Sequence, residues 1–172
     1  CKNFEEDFDF VSQVYRFHNV YGPNGTWDGG REKAPAAMCR KVLECIDSGN
    51  MEMEIWGDGE QTRSFMYIDD CITGIDKLMA SGHSDPLNLG RSELVTINGL
   101  LDIVEEIAGV TVKRTYNLDA PQGVRGRNSD NDEIKKVLGW EPEVDLRTGM
   151  KTTYHWIKEQ YDRRKMGETV VQ

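Results

Sequence analysis

Strand-like and helix-like segments alternate along most of this 172-residue chain, and this alternation limits its possible folds more than any other feature. Residues 51–55 alternate methionine or isoleucine with glutamate, which predicts a half-buried strand. The segment after Thr96 repeats apolar residues at helical spacing and ends at Gly109, which predicts an amphipathic helix. Because such alternation is typical of α/β proteins, we expect an α/β fold.

The predicted elements form one uninterrupted series. Strands are predicted at residues 10–17, 51–55, 64–68, 87–89 and 110–116. Helices are predicted at residues 32–47, 69–80, 97–108, 130–138 and 146–164. Asp69 and Asp70 are expected to cap the second helix. The sequence contains no internal repeat or low-complexity linker, so its length favours one domain.

Composition argues against several classes of protein. Hydrophobic residues make up 38% and charged residues 30% of the chain, which argues against disorder. No apolar run reaches the roughly 20 residues of a membrane-spanning helix. The formal net charge of −9 disfavours nucleic-acid binding, because surfaces that bind phosphate backbones are basic. The four cysteines lack the spacing of a metal site, so we expect reduced thiols, no metal and a cytoplasmic protein.

The most informative motif is the run Gly-Gly-Arg-Glu-Lys-Ala-Pro-Ala-Ala at residues 29–37. It places Lys33 where a glycine turn opens a predicted helix, with Pro35 in the first turn. The start of a helix suits an anion, and a lysine there suits proton transfer. For a lysine considered alone, an ordinary exposed position in a first turn is the commoner explanation.

Two further runs carry polar side chains suited to a ligand. Residues 16–23, Arg-Phe-His-Asn-Val-Tyr-Gly-Pro, contain Asn19, whose amide can bind hydroxyl groups or cap the loop. Residues 123–130, Gly-Val-Arg-Gly-Arg-Asn-Ser-Asp, contain Arg127. Its planar guanidinium, like that of Arg63, can bind a diphosphate or form a surface salt bridge. The two glycines of this run predict a close backbone approach to a ligand. Six basic residues either converge on an anion or lie scattered in solvent: Arg31, Lys33, Lys41, Arg63, Arg125 and Arg127.

Taken together, the three runs resemble the GDP-mannose 3,5-epimerase family of extended short-chain dehydrogenase/reductases. The resemblance extends from Cys1 to about Lys165. It implies the C-terminal part of that α/β fold, with the last Rossmann strands and a small α/β substrate-binding domain. Residues 1–22 would hold the end of a Rossmann helix and the following strand. Residues 23–165 would form mainly the substrate-binding domain, but a strand and a helix near residues 64–80 would return to the Rossmann domain. Residues 166–172 would form a tail. The family's glycine-rich loop and Tyr-x-x-x-Lys pair lie upstream of the matching region, so the chain is expected to be a fragment.

The resemblance also implies a reaction. In this family C4 of the sugar is oxidised by NAD, the protons at C3 and C5 are exchanged, and the hydride returns to C4. Lys33 matches the family's acid/base lysine, and Phe17 and His18 match positions beside the nicotinamide. The implied substrate-binding residues are Asn19, Glu32, Lys33, Ala34, Lys41, Gln61, Thr62, Arg63 and Arg127. The implied substrate is GDP-mannose or a related nucleotide sugar, and the full-length protein would be a homodimer. Most of the NAD site would lie in the missing N-terminal half, so the fragment alone is expected to be inactive.

Two other functions remain open. Another nucleotide-sugar epimerase or a 4,6-dehydratase would share the Asn-x-Tyr-Gly-Pro loop and the terminal arginine, but not the Gly-Gly-Arg-Glu-Lys run. A non-catalytic nucleotide-sugar-binding module is the second alternative. The residues upstream of Cys1 would distinguish these possibilities.

The last predicted helix contains a spacing that imitates a catalytic pair. Tyr-x-x-x-Lys occurs at Tyr154 and again at Tyr161, but apolar residues recur there at steps of three and four, which is typical of a packing stripe. We also predict that Trp56, Trp140 and Trp156 pack in the interior.

Overall fold

Nine short strands and six helices form the part of the chain that the structure, a computed structural model, describes: residues 2–8, 11–121 and 123–171. The helices are α1 (Lys2–Asp7), α2 (Ala34–Ser48), α3 (Ile68–Ser81), α4 (Ile97–Ala108), α5 (Asp132–Leu138) and α6 (Leu146–Lys165). The strands are β1 (Tyr15–Phe17), β2 (Val20–Tyr21), β3 (Glu52–Trp56), β4 (Thr62–Arg63), β5 (Met66–Tyr67), β6 (Leu87–Leu89), β7 (Val95–Thr96), β8 (Lys113–Asn117) and β9 (Gly126–Arg127). Their alternation confirms the predicted α/β class.

Parallel pairing dominates the sheets. β1 pairs in parallel with β6, and β2 pairs in parallel with β5. β3 and β8 form a longer parallel pair, in which Glu52 lies opposite Lys113. β4 lies between β9, which is parallel to it, and β7, which is antiparallel. α3 follows β5 in the chain and leads into β6. It therefore connects the β2–β5 pair to the β1–β6 pair.

The main core lies where α2, α4 and α6 pack against one another and against β3. Its fully buried side chains include Trp27, Val42, Ile55, Leu100, Val104, Met150 and Ile157. A second, smaller cluster lies among β5, α3, β6 and α5 and contains Met66, Cys71, Leu89 and Ile134. The first cluster supports the start of α2, and the second supports the end of β1, so each lies beneath part of the predicted site.

Helix ends follow the sequence closely. The five predicted helices begin and end within two residues of their observed bounds. Thr96 caps α4 as expected, because its Oγ1 accepts a hydrogen bond from the Gly99 N–H at 2.9 Å, and Gly109 ends the helix with a φ of +70°. The predicted cap of α3 is wrong. Tyr67 is the N-cap, and the Asp70 carboxylate instead accepts a hydrogen bond from the Val144 N–H at 2.8 Å, because a distant segment packs over the first turn.

Strand ends differ more from the sequence prediction. The strand predicted at residues 10–17 is limited to Tyr15–Phe17 among the described residues, and residue 10 lies outside them. The strand predicted at 110–116 begins only at Lys113. Glu105 explains the delay, because its carboxylate accepts a hydrogen bond from the Val112 N–H at 2.6 Å and its carbonyl accepts one from the Val110 N–H at 3.1 Å. These bonds hold the backbone of 110–112 against α4.

The apolar stripe of α6 is a packing surface, as predicted. Tyr154 and Tyr161 are buried in the main core. Trp140 and Trp156 also pack, partly buried, against the two clusters. The prediction for Trp56 is wrong: its side chain is 54% exposed, and its indole N–H donates to Glu54 at 3.0 Å. None of the helices in the described part of the chain has the length and apolar character needed to cross a membrane.

Candidate functional site

Lys33 ends a loop that Gly29 and Gly30 begin and that leads directly into α2. Both glycines have positive φ angles, +91° and +82°, a conformation that favours glycine. Lys33 is the N-cap residue of α2, and its carbonyl accepts a hydrogen bond from the Ala37 N–H at 2.9 Å. Its side chain is exposed. The ammonium of Lys33 and the unpaired N–H groups of the first helical turn therefore lie at the same positively charged helix end.

A largely buried guanidinium anchors this loop. Arg40 lies on α2 with 15% of its side chain exposed, and it pairs with Glu32 at 2.8 Å and with Glu44 at 2.6 Å. Its Nε lies 3.4 Å from a carboxylate oxygen of Asp28. Only 7% of the Glu32 side chain is exposed. The structure thus places Glu32, a predicted substrate-binding residue, in the anchor of the loop.

The carboxylates of this anchor are strongly held in their ionised form. Burial by itself raises the pKa of Glu32, but hydrogen bonds from backbone N–H groups and the charge of Arg40 outweigh it, so that the pKa lies below its usual range. Burial likewise opposes the shift at Asp28, where the Gly29 N–H, Arg164 and Arg40 together lower the pKa. Both acids are therefore ionised at neutral pH beside the exposed Lys33.

Asn19 connects the end of β1 to the segment before β5. Its backbone has a φ of +22°, and its Nδ2 donates to the Ser64 carbonyl at 3.0 Å. The Asn19 carbonyl accepts a hydrogen bond from the Met66 N–H at 3.2 Å. These bonds are the loop-capping role that the sequence allowed. The sugar-binding role of Asn19 stays a prediction.

The predicted diphosphate ligands, Arg63 and Arg127, lie opposite each other on adjacent parallel strands. The Ser64 N–H donates to the Arg127 carbonyl at 3.2 Å, and the Thr62 N–H donates to the Arg125 carbonyl at 2.9 Å, which fixes β4 against β9. Adjacent strands are about 4.8 Å apart, and residues opposite each other share a face of the sheet. The structure therefore places Arg63 and Arg127 side by side on one face of this sheet, where Arg63 also donates to the Thr62 carbonyl at 2.7 Å. Their role as diphosphate ligands stays a prediction.

Of the two glycines near Arg127, Gly126 packs tightly against β4 and Gly123 makes an ordinary contact with Arg63. A Cβ at Gly126 would lie 2.8 Å from the Thr62 Oγ1, and one at Gly123 would lie 3.4 Å from a terminal nitrogen of Arg63. Both glycines therefore lie close to residues of β4, and their approach to a ligand stays a prediction. Arg125 also has a structural partner, because it pairs with Asp58 at 2.8 Å across the turn after β3.

His18 and Phe17 lie where β1 ends. Burial, and then the nearby charge of Arg127, lower the pKa of His18, so its imidazole is neutral at neutral pH. A Cβ at Gly90 would lie only 2.6 Å from the His18 Cβ, so glycine is needed where β6 passes this residue. The ring of Phe17 is 53% exposed and lies parallel to that of Tyr15, with 5.8 Å between the ring centroids. Ligands of open α/β sheets bind at this carboxyl end of the strands.

Other predicted site residues lie apart from these groups or have structural partners. Lys41 lines a groove of about 370 Å³ between α2 and β3 that also includes Glu52 and Glu54. Ala34 is half-buried and packs against the main core. Gln61 is buried, and its Nε2 donates to the Trp56 carbonyl at 2.8 Å.

The structure also identifies polar groups that the sequence interpretation missed. The hydroxyl oxygens of Ser64 and Ser129 are buried and have no hydrogen-bond partner among the described residues. Ser64 follows Arg63 on the chain, and a Cβ at Gly90 would lie 3.0 Å from the Ser129 Cβ, so both serines adjoin the His18 and Arg127 region. Serine is common in loops, and no spacing in the sequence sets these two apart.

Comparison with known proteins agrees with this geometry. Residues 1–90 match the model of the NAD dependent epimerase/dehydratase family. The GDP-mannose 3,5-epimerase of Arabidopsis thaliana is 46% identical over 165 residues, which are 96% of this chain and 42% of that protein. GDP-mannose 3,5-epimerase 1 of Oryza sativa subsp. indica is 47% identical over 165 residues, which are again 96% of this chain and 42% of that protein.

Solved structures give the same fold. The UDP-glucose 4-epimerase of Thermotoga maritima, solved with UDP-glucose, superposes with a TM-score of 0.82 and 29% identity over 93% of this chain and 50% of that one. The UDP-glucuronic acid 4-epimerase of Bacillus cereus, solved with UDP-glucuronic acid and NAD, superposes with a TM-score of 0.78 and 26% identity. The match covers 92% of this chain and 49% of that one.

These matches confirm the resemblance that the three runs carry and the predicted fold class. The chain spans about two fifths of the length of the curated relatives and half the length of the solved structures. The family model covers the end of β1, the Lys33 loop, α2 and the β4–β6 segment, and so it includes most of the candidate site. This chain belongs to the NAD dependent epimerase/dehydratase family.

Proposed function

We propose that these residues form the C-terminal, substrate-binding half of an isomerase that acts on GDP-mannose or a related nucleotide sugar. The observation that carries this proposal is the placement of Lys33: an exposed ammonium at the start of α2, on a loop whose carboxylates are held by Arg40. The identity to plant GDP-mannose 3,5-epimerases across almost the whole chain supports the choice of substrate. The full-length protein would be a cytoplasmic homodimer.

The cofactor of such an enzyme would be NAD, and part of this chain fits one end of it. Phe17 presents a largely exposed aromatic ring at the carboxyl end of a parallel strand, and His18 beside it is neutral. Both would form a wall for the nicotinamide. The phosphate-binding glycine loop has no counterpart among the described residues, so we place the rest of the NAD site in the other half of the protein. A bound NAD would supply the hydride acceptor and donor for C4.

Lys33 would then transfer protons. A carbonyl at C4 makes the hydrogens on C3 and C5 acidic, because it stabilises the charge left on the adjacent carbon. A base in the other half of the protein would remove the proton from one face, and the Lys33 ammonium would return a solvent-derived proton to the opposite face, which inverts the carbon. Acid/base catalysis by a positioned side chain contributes about 10²–10⁴-fold to a rate. Arg63 and Arg127 would hold the diphosphate, and Asn19 would bind a sugar hydroxyl.

A second candidate function is a UDP-sugar 4-epimerase. The TM-score of 0.82 to a UDP-glucose 4-epimerase favours it, because the folds agree over 93% of this chain. The two candidates differ in the nucleotide and in whether the C3 and C5 protons exchange. A 4,6-dehydratase or a non-catalytic nucleotide-sugar-binding module would be distinguished by the same assays, because neither would invert C3 and C5 together.

Two substitutions in the full-length protein test the proposal. Lys33→Met should lower incorporation of solvent deuterium at C3 and C5 of GDP-mannose by about 10²–10⁴-fold while substrate still reduces the cofactor transiently. Arg127→Ala should raise KM with little change in kcat, because a diphosphate contact is equal in the ground and transition states. The measurements are NMR of the sugar and absorbance of the reduced cofactor. Unchanged deuterium incorporation in Lys33→Met would refute the acid/base role, and turnover of UDP-glucose but not GDP-mannose would favour the second candidate.

A further inference from the structure

The loop that carries Lys33 has little side-chain packing, and its backbone bonds to the carboxylates at its two ends: the Gly29 N–H donates to Asp28 at 2.8 Å, and the Gly30 N–H donates to Glu32. A Cβ built at Gly29 or Gly30 meets nothing within 4 Å, and the side chains of Arg31 and Lys33 are exposed. The two glycines have no side chain that could pack against a neighbour, so side-chain packing at these positions does not fix the backbone of the loop. The position of Lys33 therefore depends on the side chains at the two ends of the loop.

Both ends of the loop are bound to one guanidinium. Asp28 precedes the glycines and Glu32 precedes Lys33, and their carboxylates lie 3.4 Å and 2.8 Å from nitrogens of Arg40. Arg40 lies two turns into α2 and also pairs with Glu44 on the same helix at 2.6 Å. One rigid, planar cation on α2 thus links the start and the end of a glycine loop to the helix that follows it.

The C-terminal segment holds the same loop from another side. Arg164, near the end of α6, pairs with Asp28, and its guanidinium carbon lies 4.5 Å from the centroid of the Trp27 ring. The indole N–H of the fully buried Trp27 donates to the Val171 carbonyl. The residue before the loop is therefore fixed in the core, and Asp28 is shared between Arg40 and Arg164.

We propose that Arg40 is a positioning residue, which holds the Lys33 ammonium at the place where it transfers protons by binding Asp28 and Glu32, with Arg164 as a second support at Asp28. This inference rests on the proposed function of Lys33. Because Arg40 and Glu32 are largely shielded from solvent, the ion pair between them is far less screened than an exposed one. A displacement of about 1 Å in a catalytic group can lower a rate by as much as 10²-fold.

The first test measures the loop itself in this 172-residue chain at low protein concentration. Trypsin can cleave after Arg31 and Lys33, which are both exposed. Arg40→Gln should raise cleavage at these two bonds about tenfold, with no change at other exposed sites such as Lys113. Arg147→Gln is the matched control, because Arg147 pairs with Glu106 on the surface away from the loop.

Equal cleavage at residues 31 and 33 in Arg40→Gln and wild type would overturn the proposal. A uniform rise at all sites would also overturn it, because that pattern reports general unfolding.

The second test measures the reaction in the full-length protein. Arg40→Gln should lower solvent deuterium incorporation at C3 and C5 by about 10–100-fold, with KM for GDP-mannose and transient cofactor reduction nearly unchanged. Arg40→Lys should recover only part of the loss, because an ammonium cannot span Asp28, Glu32 and Glu44 at once. A merely structural role would lower cofactor reduction and deuterium incorporation together, and that result would contradict the inference.

Comparison with Lys33→Met separates the two hypotheses. If Lys33→Met abolishes deuterium incorporation while Arg40→Gln keeps the wild-type value, only the positioning role fails. If Lys33→Met itself retains incorporation, the proposed function fails, whatever Arg40→Gln does. The trypsin result then still decides whether Arg40 holds the loop.

Discussion

At the scale of single residues, the site is organised by two ionised carboxylates, the half-buried Asp28 and the nearly buried Glu32. Asp28 and Glu32 both have lowered pKa values in the folded chain, although burial alone would raise them, because neighbouring N–H groups and then the guanidinium groups of Arg164 at Asp28 and Arg40 at both residues favour the ionised form. The pairing couples the geometry of the Lys33 loop to pH. A group whose pKa is lower in the folded state stabilises the fold above its ordinary pKa, and the stabilisation disappears as the pH falls through the folded value.

We therefore predict that the free energy of unfolding decreases between pH 6 and acidic pH, and that Arg40→Gln reduces this decrease. Without Arg40 the pKa of Glu32 returns toward its ordinary value, so less stability remains to be lost on acidification. Asp28 keeps Arg164, so the effect should be partial. Urea unfolding of dilute protein, followed by tryptophan fluorescence at a series of pH values, measures it. Arg147→Gln serves as the control, and an identical pH dependence in Arg40→Gln and wild type would contradict the prediction.

The sequence predicts some residues of the candidate site and gives no sign of others. Lys33, Arg63 and Arg127 stand in long runs with a distinctive order, and the structure places Arg63 opposite Arg127. Arg40 follows Glu32 by eight residues within an ordinary helix, and nothing in that spacing indicates that its guanidinium turns back to the loop. The pairing of Glu32 with Arg40 is equally invisible in the sequence, because a sequence shows the residue type but not the direction of the side chain. The substrate-binding role of Glu32 stays a prediction.

At the scale of elements, α6 approaches the β2–β5 pair closely at Gly149. A Cβ at Gly149 would lie 2.2 Å from the Tyr21 hydroxyl and 2.9 Å from the ring of Tyr67. Tyr21 also donates to the Leu146 carbonyl at 3.2 Å in the first turn of the same helix. Glycine weakens a helix interior by up to about 1 kcal/mol relative to alanine, so its presence here is explained by this contact.

Gly149→Ala should therefore destabilise the chain by about 1–3 kcal/mol despite the better helix propensity, because the added methyl group overpacks the contact. Tyr21→Phe removes the hydroxyl that the methyl group would meet, at the loss of one hydrogen bond worth about 1 kcal/mol. The double variant should be more stable than the sum of the single effects implies. Urea unfolding of the four proteins measures this cycle. Strict additivity, or a stabilised Gly149→Ala, would show that α6 does not pack as described.

The elements themselves differ in how far the sequence determines them. α2, α4 and α6 have several turns of apolar periodicity, and all were located from the sequence. The strands β2, β4, β7 and β9 contain two residues each, too few for any period, and they exist because a neighbouring strand pairs with them. Arg63 and Arg127 lie on two of these strands. The sequence could name the residues of the candidate diphosphate site, but their juxtaposition depends on pairing between distant segments.

At the scale of the whole molecule, the β1–β6 pair is left incompletely covered. Parallel strands are normally buried on both faces, and an isolated two-stranded sheet is not stable in water. Large apolar side chains are exposed on the segments that lead into this pair and on β1 itself: Phe4, Phe8 and Val11 before β1, Phe17 on β1 and Met79 on α3 before β6. Solved relatives have twice the length of this chain, and we propose that the remaining half of the protein covers this surface.

The chain alone should consequently bind a hydrophobic dye in its folded state and associate as its concentration rises, because the Phe4 and Phe8 side chains are 60% and 58% exposed. Replacing both phenylalanines with serine should reduce dye fluorescence and association. Val124→Ser, at a 55% exposed apolar residue of another segment, is the control and should change neither. Dye titration and sedimentation velocity over a range of concentrations are the measurements. A monomer that unfolds cooperatively and binds no dye would contradict the prediction, and it would favour a self-sufficient nucleotide-sugar-binding module over half of a larger enzyme.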